Sequence, residues 1–189
     1  MKVRDSGMPD ETQWESFFNP ELIVEKLFGK VILGNAAEFG CGYGTFTGAI
    51  ARRTKGLIYA FDIEESMVER TNKRLKELKN LEVLRRDLER EGTGLPGAFV
   101  EAVALFNILH GQDPLRLLKE AFRIMSPGAK VAAIHWNYDP LTPRGPSLFI
   151  RPKPQDIQKW MLEAGFKISG SVLDLPPYHY GIKGIKPLI

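Results

Sequence analysis

The spacing of apolar positions changes several times along the chain. Residues 10–29 carry helical spacing. Asp10 can cap a short turn bearing Trp14, Phe17 and Phe18. A second helix then starts at Asn19-Pro20, with Asn19 as cap and proline in the first helical position, and stops at Gly29. Beyond it, short apolar runs alternate with amphipathic stretches. The pattern predicts strands over 33–39, 57–61, 81–84, 100–108 and 130–136, with helices over 45–53, 64–78 and 113–125, the last ended by Pro127-Gly128 before the fifth strand. In 64–78, Met67, Leu75 and Leu78 face inward and charges cover the rest. Strands alternating with helices imply βαβ units and a parallel sheet. Near-continuous apolar strands suit a sheet covered on both faces. The tail differs. Residues 137–154 hold Pro140, Pro143, Pro146, Pro152 and Pro154 and read as a loop; a helix follows over 155–164, stopped by Gly165. Two strand-like segments, 166–174 and 178–187, flank Pro176-Pro177, and strands without a helix between them pair antiparallel.

Composition narrows the class. A length of 189 residues suits one domain, and 26 basic against 23 acidic residues give a net charge of +3, too small for a dedicated nucleic-acid protein. The one cysteine, Cys41, rules out a disulfide framework and a cysteine-based metal site and points to a reducing, cytoplasmic compartment. No His/Cys/Asp cluster has metal-ligand spacing, so no metal is expected. No run approaches the ~18 apolar residues of a membrane span, and Met1–Asp5 lack the apolar core of a leader.

The candidate chemistry sits where strands end. Glu38-Phe39-Gly40-Cys41-Gly42-Tyr43-Gly44 joins the first predicted strand to the next helix. This is the place where open α/β sheets bind ligands, and glycine there lets backbone approach a ligand closely. Asp62 follows Gly40 by 22 residues, at the end of the second strand, the position of an acid that accepts from a ribose diol. Asp87 closes the third, so three carboxylates mark one sheet edge. A dinucleotide loop reads G-x-G-x-x-G; here the third glycine comes one residue early, and Thr45 takes its place. A carboxylate two residues before the first glycine repels a pyrophosphate and favours a positively charged ligand. S-adenosylmethionine, with its adenosine, sulfonium and ammonium, is such a ligand.

On these residues the chain resembles the class I S-adenosylmethionine-dependent methyltransferases, most closely their small type 11 group. Supporting matches are Arg86-Asp87-Leu88, Phe106-Asn107-Ile108-Leu109-His110, Glu163-Ala164-Gly165-Phe166 and Leu175-Pro176-Pro177-Tyr178-His179-Tyr180-Gly181. The resemblance implies a single Rossmann-like, doubly wound α/β domain over 1–189. Its seven-stranded sheet would have order 3-2-1-4-5-7-6 with the last strand antiparallel, preceded by a helical lead-in or lid over 1–30, with the core over 31–189. It further implies that Gly40, Gly42 and Gly44 pass under the methionine part of S-adenosyl-L-methionine, with Glu38 organising the turn and the ammonium. Asp62 would hold the ribose hydroxyls and Ile63 flank the adenine. Asp87 would accept from its amine, Leu88 lie on its face, and Phe106 and Asn107 line the methionine end.

Each assignment has a plainer counterpart. Cys41 reads as a small buried residue rather than a nucleophile. Asp87 can be a solvated charge, and Trp14, Phe17 and Phe18 serve equally as core or as an aromatic lid over a sulfonium. His110, just beyond the fourth strand, can take a proton from a substrate, cap the next helix or face solvent. His135 reads as a core histidine. Tyr178 and His179 begin the last strand near the active edge and are candidates to face substrate. Arg144 and Arg151, in a stretch from 144 onward with seven bases and three acids, suggest an anionic acceptor or a merely solvated face. No Asn/Asp-Pro-Pro-Tyr follows the fourth strand, which argues against DNA as acceptor. The expected activity is methyl transfer to a small molecule, with protein or RNA acceptors left open. A nicotinamide-dependent reductase and a non-catalytic cofactor-binding protein remain the alternatives.

Overall fold

The computed structural model describes residues 8–188; Met1–Asp5, read above for a leader, lie outside the described residues. Two short helices lead in, α1 (Glu11–Ser16) and α2 (Pro20–Phe28). There follow β1 (Asn35–Phe39), α3 (Thr47–Arg53), β2 (Ile58–Asp62), α4 (Glu65–Arg74), β3 (Leu81–Arg85), α5 (Leu88–Glu91), β4 (Val100–Phe106), α6 (Pro114–Ile124) and β5 (Met125–Trp136). The tail adds α7 (Pro154–Glu163), β6 (Lys167–Ile168), β7 (Leu173–Leu175) and β8 (His179–Ile185). Side-chain caps fix several starts. Asp10, Asn19, Asp87 and Asp113 each accept from the backbone N–H three residues on, satisfying amides that a helix leaves unpaired at its start.

The strands form one sheet of order β3-β2-β1-β4-β5-β8-β6, with β7 pairing β8 as well. The pairs from β3 to β5 are parallel, and β8 runs antiparallel to β5 and to both short strands. The expected order therefore holds, with one change: the segment 166–174 forms two pieces instead of one strand. It leaves the ladder around Gly170, whose φ of +80° suits glycine. Two further boundaries move. The helix expected to reach Leu78 ends at Arg74, and the chain turns so that Leu78 and Leu81 pack under the sheet. Pro127-Gly128 do not separate α6 from a later strand; β5 starts at Met125 and absorbs them as an irregularity between the Val100–Met125 and Ala102–Lys130 pairs.

Both sheet faces are covered, as the apolar strands require. One core joins Phe39, Phe61, Val103 and Leu105 to α6 and α7; the other joins Ala36, Ile58, Ala104 and Ile134 to α1, α2 and α3. Alternate residues of β1 and β4 feed opposite cores, the period-2 consequence of the pleat. Among the described residues no helix is long and apolar enough to cross a membrane.

Candidate functional site

Where β1, β2 and β4 end, a cavity of about 480 Å³ opens, within the usual range for small-molecule sites. Its floor is the turn after β1. The N–H groups of Gly40 and Cys41 both donate to the Phe61 carbonyl, at 2.8 and 2.9 Å, tying the turn to β2. Gly40 sits at φ +75°, and a Cβ there would lie 2.5 Å from Ile108 Cγ2, so both backbone shape and space demand glycine. Gly44, at φ +76°, backs onto Thr71 and does not line the cavity. Thr71 is the buried residue of α4 and donates to the Gly42 carbonyl at 2.9 Å, so the helix grips the turn through a hydroxyl.

Two carboxylates hold this floor. Glu38 is buried in the otherwise apolar β1 and accepts from the Thr47 hydroxyl at 2.5 Å. Burial, with a smaller contribution from the Asp62 charge, pushes its carboxyl up to about 8. Asp62 accepts from the Gly42 N–H at 2.9 Å through one oxygen and from the Glu64 N–H at 3.0 Å through the other. Its pKa is raised because burial outweighs those two N–H groups. Asp87 combines the plain and the specific reading: it caps α5 through the Arg90 N–H at 3.1 Å and lines the cavity.

The structure thus brings together Glu38, Gly40, Gly42, Asp62, Ile63, Asp87, Leu88, Phe106, Asn107 and His110 around one space. Asn107 follows β4 at φ +57°, uncommon for a side chain with a Cβ, and neither end of its buried amide has a hydrogen-bond partner. The buried Thr45 hydroxyl, also in the lining, has none either. Buried polar groups are normally paired, so both mark where a polar ligand is expected. Sequence reading passed over Glu64, Glu89, Arg86 and Trp136 in the lining. The first three lie within two residues of Asp62 or Asp87, the one signal that could have found them. Five carboxylates (Glu38, Asp62, Glu64, Asp87 and Glu89) thus face one guanidinium, Arg86, among the described residues. That balance and the two orphaned groups fit a cationic, polar nucleoside and oppose a diphosphate.

Cys41 keeps its reading as a small buried residue: burial raises its thiol pKa, and its sulfur lies 4.0 Å from Thr71 Oγ1. Other assignments change. Neither Tyr178 nor His179 lines the cavity. His179 is wholly buried, its ring 4.2 Å from that of Trp136 and 4.5 Å from that of Phe18, and burial lowers its pKa to about 3. It lies behind the wall. Tyr178 packs edge-on against Phe17, 5.2 Å away. Arg151 does not offer itself to an anion. It is buried, and its guanidinium reaches the carbonyls of Asn137, Asp139, Arg144 and Pro146 and the Thr142 hydroxyl. It staples the proline-rich loop, and with its donors so engaged it leaves no anion pocket.

Comparison with known proteins agrees with this geometry. A family model described as a methyltransferase domain, of type 11, matches residues 37–133. The crystal structure of an S-adenosylmethionine-dependent methyltransferase from Aquifex aeolicus superposes with a TM-score of 0.81 at 25% identity, over 94% of each chain. Geranyl diphosphate C-methyltransferase from Streptomyces coelicolor A3(2), solved with Mg2+, geranyl diphosphate and S-adenosyl-L-homocysteine, gives 0.72 at 13% identity. That match covers 95% of this chain and 84% of the other, and it reports on the fold alone. An uncharacterized 37.1 kDa protein in transposon TN4556 of Streptomyces fradiae is 29% identical over 117 residues, which make up 60% of this chain and a third of that protein.

Proposed function

This chain belongs to the S-adenosylmethionine-dependent methyltransferase domains, and we propose that it moves a methyl group to a small-molecule acceptor by in-line displacement. The carrying observation is the cavity's five carboxylates against one guanidinium, together with the orphaned Asn107 amide and Thr45 hydroxyl. The cofactor, when bound, supplies a sulfonium methyl whose S–C electron pair returns to sulfur as the nucleophile's lone pair forms the new bond. The protein's part is to bind and orient. Glu38 and the turn from Gly40 to Tyr43 hold the ammonium end. Asp62 takes the ribose hydroxyls beside Ile63, and Asp87 and Leu88 meet the adenine. Phe106 and Asn107 close the methionine end. Alignment of this kind contributes on the order of 7–11 kcal/mol. α1 is a cover for the site: Trp14 reaches the cavity, and Glu11 is ion-paired to Arg70 and Arg74 of α4.

Titration calorimetry with S-adenosylmethionine, S-adenosylhomocysteine and NADH tests the donor site. The first two are expected to bind and the third not; binding of NADH alone would overturn the assignment. Transfer of labelled methyl into fractions of a cell extract tests the acceptor class, with label expected in small molecules. Label confined to protein or RNA would refute that part.

A further inference from the structure

Glu38 is an acid without a counter-charge. β1 alternates its side chains between the two cores, and Glu38 falls on the face it shares with Ala36. Its register partners are Ala60 of β2 and Ala104 of β4, so neither neighbouring strand offers a group that could offset a charge. From α3 the polar contact is the Thr47 hydroxyl, which is neutral, while the arginines of that helix, Arg52 and Arg53, are ion-paired to Glu21 of α2. The titratable groups that face Glu38 are both acids: Asp62, which holds the same turn, and the Cys41 thiol, which burial keeps protonated. Among the described residues no cation pairs with Glu38. An ionised carboxyl in that setting is costly, and the cheaper state keeps a proton. The same burial makes Glu38 sensitive to a charge placed on the far side of the glycine turn, because the water that would screen the field is excluded. That influence acts through space. It requires neither exposure of the carboxyl nor a hydrogen bond to it.

We infer that Glu38 is protonated in the cofactor-free protein and releases that proton when an ammonium group enters the site, so that the cavity selects its donor by exchanging a proton for a cation. This deepens the reading above and rests on it for the identity of the donor. One proton leaves to solvent for each ammonium taken up, and no covalent bond to carbon or sulfur changes. Glu38 is then a specificity-determining residue: a nucleoside that lacks the ammonium leaves the proton in place and gains nothing from the carboxyl. With the carboxyl pushed up to about 8, the exchange falls in the neutral range. Affinity for a cationic ligand should therefore rise with pH and level off above about 8.

Two nucleosides separate this exchange from the donor site itself: S-adenosylhomocysteine, which carries the ammonium, and 5′-methylthioadenosine, which does not. In calorimetric titrations of the wild-type protein, S-adenosylhomocysteine is expected to bind about tenfold more tightly at pH 7 than at pH 6. 5′-Methylthioadenosine should bind equally at both. Repeating the pH 7 titrations in buffers of different ionisation enthalpy should count about one proton released with the first nucleoside and none with the second. Glu38→Gln is expected to lose both the pH slope and the released proton. A flat wild-type profile, or the same slope for both nucleosides, overturns the inference even if Glu38→Gln does not fold. A proton count unchanged in Glu38→Gln overturns it as well, by assigning the release to another group. Absence of S-adenosylhomocysteine binding at every pH would sink the donor site, and the exchange with it.

Discussion

The two halves of the cavity are built from opposite chemistry. At the ends of β1, β2 and β3 the wall is carboxylate and bare backbone: Glu38, Asp62 and Asp87 around a glycine turn. Beyond the ends of β4 and β5 it is ring and imidazole: Phe106, His110, Trp136 and, from α1, Trp14. The first half holds charges whose burial is tolerable only with a cation or a proton to offset it. Behind the second half, burial, with the nearby Arg151 charge, keeps His135 and His179 neutral. One cavity can thus keep a cationic donor in place while offering an acceptor a drier, less charged surface. The contrast sets the expectation for substitutions: charge changes in the first half should alter cofactor affinity, and changes in the second should alter packing.

The largest effect is expected at Glu38. Its folded pKa of about 8 lies above the ordinary 4.5, so the unfolded chain releases this proton first. The stability the group lends is therefore complete below pH 4.5 and lost as pH rises to about 8. Glu38→Gln removes that loss and should stabilise the cofactor-free protein above pH 8 by as much as about 5 kcal/mol. The same change should weaken S-adenosylmethionine binding at least about tenfold. Denaturant unfolding across pH and calorimetry read the two effects; a variant that is more stable yet binds equally well would break the comparison.

Arg151 comes next, on the packing side. Arg151→Ala should cost about 2–4 kcal/mol in chemical unfolding, because it strips a buried staple from five loop groups. Lysine, a point charge with three donors, should restore only part of that. A normal unfolding midpoint with impaired acceptor kinetics would return Arg151 to the acceptor site. Asp62→Ala should lower cofactor affinity at least about tenfold, since hydrogen bonds to a charged acceptor are worth about 1.5–3 kcal/mol. An unchanged dissociation constant would separate Asp62 from the donor half.

The smallest effect is expected at His179. Both its ring nitrogens are buried without hydrogen-bond partners among the described residues. His179→Phe should leave turnover unchanged and stabilise the fold by no more than about 1 kcal/mol at neutral pH. The gain should grow as pH falls from 6.5 toward 3, because the unfolded histidine takes up a proton that the buried one refuses. A drop in turnover without loss of stability would put His179 back among the acceptor groups.

The donor half was legible because each of its parts is local. A strand end, a glycine turn and an acid recur within successive βαβ units, so Glu38, Asp62 and Asp87 reach one edge by strand order alone. Apolar periodicity fixed the strands in the same way, since a sheet covered on both faces leaves little choice of residue. The losses were local too: Gly170 breaks an edge strand, and Pro127-Gly128 sit inside β5, because a ladder can absorb an irregularity that a single-residue rule reads as an end.

By itself, the chain determined its α/β class and the acids at its strand ends, because these follow from short-range period and spacing; the strand order came with the family resemblance. Tertiary structure alone decided which of three histidines meets the cavity and that Arg151 serves a loop. Those outcomes depend on contacts between residues far apart in sequence, such as His110 with His135 and His179 with Phe18, and on the loss of water around them. No pattern in the linear chain encodes either.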